Sequence, residues 1–401
     1  MPRAPPGPRR LRALAAQVLP AGEGLNAPAG PLCALPTAGV AADGPLSLQP
    51  RSLTPADIIF GCGPITQKYG GPEHSVVNAA VHAALSSGIL EFDTAPLYGD
   101  SEDVLGAALA ATPLGERAVV HTKAGKLIRR ASASQRLVGL QGPTPWAPFA
   151  VPLADRVLIP DYSAEGMRIS LEESLQRMGL RRCRSLRLHD PDSVEGAVVQ
   201  ALAPNGALAG LRQLRQQGLI DCVSLGMNAH RDHKVVTPST GGLETTAWDS
   251  SIILSILRGV PEGTFDTVLL AYGWNLVSQD AWPVMRECHT RGIRVHVAGV
   301  FSGLHHVNAG SVPASWERGE LRARRAAWRD LAAKHGVSLK AAAVAFAALP
   351  TCVEKLVLGM KAASEVAENL AAVAEAARVP PGLWTEARAA GLLSSELPAL
   401  G

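Results

Sequence analysis

The chain has 401 residues, is 47% hydrophobic and 18% charged, and carries a formal net charge of +3. That is ample for a large core, too apolar for a disordered protein, and too weakly basic for a nucleic-acid surface; no basic patch with interleaved aromatics appears, and no apolar run reaches the ~18 residues of a membrane-spanning helix. The six cysteines are scattered with no Cys-x-x-Cys pair, which argues against a zinc knuckle or a disulfide scaffold and fits reduced, buried thiols.

Residues 1–52 stand apart. They are rich in Pro, Ala and Gly, and the first 22 carry Arg3, Arg9, Arg10 and Arg12 without an acid. An Arg-bearing, acid-poor start is the mark of an organelle transit peptide. Prolines interrupt its helical face, however, and it has little Ser. We expect a disordered or cleavable segment that does not pack as core. The expected location is cytoplasmic, or plastid or mitochondrial if residues 1–50 are a targeting peptide.

From residue 55 a strand–helix rhythm begins. Ile58–Phe60 predicts a strand ending in Gly61-Cys62-Gly63-Pro64, and Val76–Leu85 a helix closed by Gly88. Ile89–Asp93 predicts a strand, and Glu102–Ala111 a helix capped by Ser101 with acids in its first turn. Ala118–His121 predicts the third strand, ending in Thr122-Lys123, and residues 124–163 read as a long Pro- and Arg-containing insertion. Ala164–Met178 predicts a helix with Leu171 and Leu175 one turn apart, stopped by Gly179. Strands follow at Ser185–Leu188, Cys222–Leu225, Thr267–Ala271, Arg294–Ala298 and Lys355–Leu358, with helices at 206–217, 282–290, 322–335 and 364–377.

Eight short, mostly apolar strands separated by helices are what a parallel sheet buried on both faces requires. Eight such repeats predict a (β/α)₈ barrel, the TIM-barrel form of the α/β class, over residues 53–379. A Gly-x-Gly-x-x-Gly after the first strand is absent, which counts against a doubly wound dinucleotide fold. Residues 380–401 read as an appended helix or tail.

In α/β barrels the chemistry sits at the carboxyl ends of the strands. Asp93 stands where the second strand ends, Tyr98 in the loop behind it, Lys123 after the third strand and His189 after the fourth. Each alone has a plain structural reading: a turn cap, a loop cover, a surface lysine, a backbone-bonded histidine. Four of them at successive strand ends of a closed barrel converge. A free phenol has a pKa near 10 and is a poor acid or base at neutral pH. A lysine cation ~4 Å away at an effective dielectric near 20 favours the phenolate by up to about 4 kcal/mol. Asp93 would keep Lys123 charged and oriented, and His189 would hold a substrate oxygen. No nucleophile and no metal set accompanies them. A Tyr acid/base with no other reactive group suits hydride transfer to or from a carbonyl, with the hydride supplied by a cofactor.

These residues resemble the aldo/keto reductase family from about Ile58 to Leu370. Phe92-Asp-Thr-Ala-Pro-Leu-Tyr-Gly and Thr122-Lys-Ala-Gly-Lys carry the resemblance. Leu188-His-Asp-Pro-Asp, Phe149-Ala-Val-Pro, Asp161-Tyr-Ser-Ala-Glu-Gly, Leu225-Gly-Met-Asn and Val260-Pro-Glu-Gly-Thr-Phe-Asp resemble a branch that includes aldose, galactose and pyridoxal dehydrogenases. The resemblance implies Asp93, Tyr98, Lys123 and His189 as a catalytic tetrad with Tyr98 as acid/base. It also implies a nicotinamide cofactor, NAD with NADP possible, touching the first-strand end at Gly61 and Cys62. It implies the nicotinamide near Asn228, the pyrophosphate near Ser302, Gly303 and Leu304, and the adenosine near Lys361, Glu365, Glu368 and Asn369. Three departures stand out: Ala271 where many members carry a carboxamide-binding Gln, Ala298 where many carry a stacking Tyr, with Phe301 the nearest aromatic, and Leu358-Gly-Met-Lys for the usual Pro-Gly-Ala-Arg. His305-His306 lack a third ligand and read as a polar loop, so no metal is expected.

The implied activity is oxidation of an aldose at C1 to a lactone, or the reverse carbonyl reduction. Pyridoxal oxidation, general aldehyde reduction and a nicotinamide-sensing regulatory subunit are the alternatives. The expected partner is a small sugar or aldehyde, with neither nucleic acid nor membrane involved, in a monomer or homodimer.

Overall fold

The computed structural model describes residues 44–66, 71–130, 156–229, 232–237, 242–247, 250–304 and 319–400. Its strands are β1 (Ile58–Gly61), β2 (Glu91–Asp93), β3 (Val119–Ala124), β4 (Lys126–Arg130), β5 (Arg156–Pro160), β6 (Cys183–His189), β7 (Ile220–Asn228), β8 (Asp232–Thr237), β9 (Gly242–Ala247), β10 (Thr267–Ala271), β11 (Arg294–Ala298) and β12 (Val353–Gly359). Eight of them close into a barrel in the order β1-β2-β3-β6-β7-β10-β11-β12, and β12 returns to β1. Every neighbouring pair around it is parallel. This is the expected (β/α)₈ barrel.

The helices are α1 (His74–Ser86), α2 (Ser101–Ala110), α3 (Ala164–Met178), α4 (Ala197–Leu202), α5 (Ala207–Gln216), α6 (Ser251–Arg258), α7 (Trp282–Thr290), α8 (Gly319–Lys334), α9 (Leu339–Ala347), α10 (Ala363–Ala376) and α11 (Pro381–Ala389). The sequence explains α3 well. Ser163 caps it by accepting a hydrogen bond from the Gly166 amide, and Gly179 ends it at φ 66°. Met167, Leu171, Leu175 and Met178 recur at helical spacing and are buried. Ser101 behaves differently from its expected role. Asp100 takes the cap position of α2, and the Ser101 hydroxyl bonds the Thr94 hydroxyl at 2.6 Å. Two antiparallel hairpins, β4–β5 and β8–β9, hang from the carboxyl ends of β3 and β7. The first was read only as an insertion, and its residues 131–155 lie outside the described residues.

Most apolar side chains fill the shell between strands and helices. There Trp274 stacks on Phe346, ring centroids 4.8 Å apart, and on Trp282 at 5.6 Å. The barrel interior is different. Its apolar content is a small separate cluster of Ile59, Leu269 and Val357 with Ala271 and Ala298 against it. Polar side chains take much of the remaining interior, where branched apolar residues are usual. Among the described residues no helix is long and apolar enough to cross a membrane.

The segment 1–52 was expected to stay off the barrel, and for its last residues this needs correcting. Leu46 and Leu48 are buried in the main core. Leu48 bridges Pro350 and Leu400, and the Gln49 amide donates to the Leu349 carbonyl at 2.8 Å. Residues 1–43 lie outside the described residues. A chain begun at Ser52 should therefore lose the burial of two leucines, about 3–6 kcal/mol at 1.5–3 kcal/mol each. A chain begun at Gly44 keeps both leucines and is the reference for that loss. Equal melting curves for the 52 and 44 starts would contradict this. The appended C-terminal segment contains α11, with Leu383 and Trp384 buried.

Candidate active site

Adjacent parallel strands bring the four candidate residues to one end of the barrel. Asp93 is the last residue of β2, Lys123 lies near the end of β3 and His189 is the last residue of β6. Tyr98 sits on a single helical turn, Pro96–Tyr98, released by Gly99 at φ 73°. The Lys123 ammonium donates to Asp93 Oδ1 and to the Thr94 carbonyl at 2.7 Å. It also lies 4.5 Å from the centroid of the Tyr98 ring. The His189 ring stands edge-on to Tyr98, centroids 6.3 Å apart. Acid, cation, phenol and imidazole are thus in mutual reach.

Asp93 and Lys123 are almost wholly buried. Burial alone would raise the Asp93 carboxyl, but the Lys123 and Arg187 cations override it and hold the group at about 2. Burial lowers Lys123, and Asp93 opposes that. Burial likewise pushes the His189 imidazole well down, with Lys126 and Lys123 adding to it, so the ring is neutral at pH 7. For Tyr98 the balance runs against the expectation that Lys123 would bring the phenol towards neutrality. Burial pushes it well up, Asp93 and Asp190 add to that, and Arg187 opposes. At neutral pH this phenol is a proton donor at rest.

The turn after His189 is tightly held. Asp190 has φ 43°, uncommon for a residue with a side chain. Its carboxylate accepts from the Asn228 backbone amide at 3.0 Å and from Asn228 Nδ2 at 2.9 Å. The Tyr162 hydroxyl donates to the carbonyls of His189 and Asp190 at 2.7 and 3.1 Å. Lys126 Nζ donates to Ser193 Oγ at 3.0 Å and reaches the His189 carbonyl at 3.3 Å. Gly125, at φ 122°, makes the Tyr162 position possible, since a Cβ there would fall 2.4 Å from that ring.

The residues expected to hold a dinucleotide line the same end. Gly61 lies in register with Asp93 on the neighbouring β2 and with Gly359 on the neighbouring β12, and the Cys62 amide donates to the Asp93 carbonyl at 2.8 Å. Ser302, Gly303 and Leu304 form the turn after β11, with Gly303 at φ 76°. The Lys361 amide donates to Glu365 Oε2 at 2.8 Å, so this carboxylate caps the start of α10. Glu368 is drawn away to Lys340 at 3.1 Å. Asn369 is buried on the inner side of α10. His305 and His306 lie outside the described residues. Among the described residues no group of three or more His, Cys, Asp or Glu is placed to hold a metal.

Sequence reasoning passed over several neighbours. Arg187 lies two residues before His189 and so shares its inward face, a parity that was legible. Lys126 closes the Thr122-Lys-Ala-Gly-Lys motif. Arg325 of α8 donates through Nε to the Gly303 carbonyl. Tyr272, just past β10, adopts φ 71°, and a Cβ on Gly299 would fall 2.9 Å from its ring. It stands near the site that Ala298 leaves without an aromatic, and nothing in the sequence announces its backbone.

Residues 57–378 match the model of the aldo/keto reductase family. A D-threo-aldose 1-dehydrogenase from a Pseudomonas species is 30% identical over 323 residues, 79% of this chain and 88% of that one. A pyridoxal 4-dehydrogenase from Microbacterium luteolum is 28% identical over 370 residues, 85% of this chain and 96% of that one. An L-galactose dehydrogenase from Arabidopsis thaliana is 24% identical over 321 residues, 79% of this chain and 83% of that one. The structure of a glycerol dehydrogenase from Gluconobacter oxydans shares the fold at TM-score 0.57 and 17% identity, covering 90% of this chain and 98% of that one. The chain therefore belongs to the aldo/keto reductase family, oxidoreductases that work with NAD(P)H.

Proposed function

We propose that this enzyme oxidises an aldose at C1 to the lactone with NAD, Tyr98 acting as acid/base. The observation that carries the proposal is the Lys123 ammonium against the Tyr98 ring, with the neutral His189 ring edge-on to the same phenol. In reduction the protonated Tyr98 gives its proton to the carbonyl oxygen, and in the oxidative direction its phenolate form takes the proton of the C1 hydroxyl. His189 holds the substrate oxygen by a hydrogen bond. Lys123, fixed by Asp93, keeps positive charge beside the phenol while its proton moves. The nicotinamide, when bound, accepts the hydride that leaves C1. The chain's residues suit such a group. Lys361 and Arg325 offer cations to phosphates, the first turn of α10 offers a helix N-terminus, and the ring of Tyr272 lies against Gly299 at the barrel mouth. The likeness to the D-threo-aldose 1-dehydrogenase supports a sugar substrate, as does the polar rim of Asp190, Asn228 and Tyr272. Turnover of L-fucose, L-galactose, D-arabinose and pyridoxal with NAD and with NADP, followed by nicotinamide absorbance, tests the reading. No aldose turnover, or pyridoxal far ahead of every sugar, would replace it.

NAD should be preferred over NADP. Recognition of a 2′-phosphate calls for a cation, usually the fork of an arginine, and Glu365 brings a carboxylate to that end of the site. A phosphate placed ~4 Å from it would be disfavoured by about 1–4 kcal/mol per charge pair, depending on solvent access. Lys361 moderates this. Glu365→Arg should move the ratio of kcat/KM values towards NADP by at least an order of magnitude. Equal or better efficiency with NADP in the unmodified enzyme would rule the preference out.

A further inference from the structure

The interior of this barrel carries a guanidinium where branched apolar side chains are usual. Arg187 is fully buried, and three different strands supply its partners. Its Nε donates to Asp93 Oδ2 on β2 at 2.9 Å, its Nη1 to Ser224 Oγ on β7 at 2.8 Å, and its Nη2 to His296 Nδ1 on β11 at 2.9 Å. Arginine can only donate, so His296 Nδ1 is the acceptor and its Nε2 carries the hydrogen. That Nε2 donates to Glu354 Oε2 on β12 at 3.0 Å. A continuous hydrogen-bonded path therefore runs from Asp93 to the opposite end of the barrel. A second arm lies beside it: His121 bonds Glu91 at 2.9 Å and Ser185 at 2.7 Å, its ring edge-on to His296.

Stability alone is a weak reason for this arrangement. Taking a guanidinium out of water is costly, and well-packed apolar residues generally match or better a buried ion pair. What Arg187 does that an apolar residue cannot is hold Asp93. Oδ1 of that carboxylate is committed to Lys123, and Oδ2 to Arg187. We propose that Arg187 is a positioning residue of the acid/base site, fixing Asp93 across the barrel and, through it, the Lys123–Tyr98 pair, while supplying the second positive charge of the site.

The inference rests on the proposed acid/base role of Tyr98. The groups facing that phenol are Cys62 after β1, Asp93 from β2, Lys123 from β3, His189 and Asp190 from the end of β6, and Tyr272 after β10. Burial first, then Asp93 and Asp190, hold the proton on the phenol, and Arg187 works against them. Without the Arg187 charge the phenol should ionise at higher pH. Arg187 is itself faced by Asp93 and Lys123, by His121 and His296, and, through His296, by Glu354.

The test is the pH profile of kcat/KM for oxidation, with NAD, of the aldose turned over best among those named above. It compares the unmodified enzyme with Arg187→Met, Arg187→Gln and Arg187→Lys, melting curves confirming that each is folded. Arg187→Gln is the second uncharged variant, because its amide can still donate to Asp93 if the methionine fails to fold. The uncharged variants should shift the ascending limb, on which Tyr98 loses its proton, up by about one pH unit, a roughly tenfold loss at pH 7 that closes only once the pH passes the ionisation of the phenol. Arg187→Lys, keeping the charge without the three-way fork, should keep the limb near its native position while kcat falls. The same loss at every pH, or none, would overturn the inference and leave Arg187 as packing. Tyr98→Phe in the same series separates the two readings. If it is inactive while the arginine variants show no shift, only the inference fails. If it is active, the acid/base reading fails and the inference with it; if no aldose turns over, the same series is run with pyridoxal.

Discussion

Replacing Tyr98 with phenylalanine should lower kcat by at least about 10²–10⁴-fold, the usual worth of general acid–base catalysis, with nicotinamide binding nearly unchanged. The substitution removes the hydroxyl and keeps the ring. Packing against the core and contact with the Lys123 ammonium at 4.5 Å therefore both persist. What goes is the proton carrier. Neither nearby side chain replaces it easily: His189 is held neutral with its proton affinity well depressed, and the Lys123 ammonium is occupied by Asp93 and the Thr94 carbonyl. Cofactor affinity by fluorescence quenching and kcat by nicotinamide absorbance separate the two effects. A phenylalanine variant with near-native kcat would remove Tyr98 from the mechanism.

The largest stability effect at the site should come from Asp93→Ala. Both carboxylate oxygens are engaged, one by Lys123 and one by Arg187, and all three side chains are out of solvent. Removing the anion strands two buried cations, and breaking a buried pair in this way typically costs about 3–5 kcal/mol. The same carboxylate should shape acid stability. Its folded pKa is held at about 2, below the ordinary 3.8. It therefore contributes stability that is fully present above about pH 4 and is lost as pH falls towards 2, about 2 kcal/mol in all. His296 acts earlier with the same sign. Burial, aided by Arg187, lowers it from 6.5 to about 4. Its contribution is present above 6.5 and is lost as pH falls through 4. The native enzyme should thus lose stability in two stages, below about 6.5 and again below about 4; Asp93→Ala should lessen only the second, to which Glu91 and Glu354, also held low by their cationic and histidine partners, contribute as well. Urea unfolding across pH 2–8 measures both. An unchanged slope below pH 4 in the variant would contradict the assignment.

The barrel was legible because its outer core obeys a simple period. The strands at Thr267–Ala271 and Arg294–Ala298 were read to the residue. The others differ by a few residues at their ends, where alternation fades into turns. Asp93, Lys123 and His189 were legible because they stand where apolar runs stop. What lies between strands was not. The interior of a barrel is made by residues from distant parts of the chain, so Arg187 meeting Asp93, Ser224 and His296 has no local signature. Glu365 shows the converse. The resemblance implied that it lies near the adenosine, while the structure shows its carboxylate accepting from the Lys361 amide, a local bond that a spacing of four residues allows equally well. Tyr272 was missed because left-handed backbone at a tyrosine follows no sequence rule.

The hairpin after β3 has an evolutionary consequence. Its base is locked into the site, with Lys126 at the start of β4 and Tyr162 just beyond β5 both gripping the carbonyls that follow β6. Because both flanks of this insertion reach those carbonyls, the insertion and the proton-transfer site are inherited together: a lineage that changes Lys126 or Tyr162 changes the support of His189 as well.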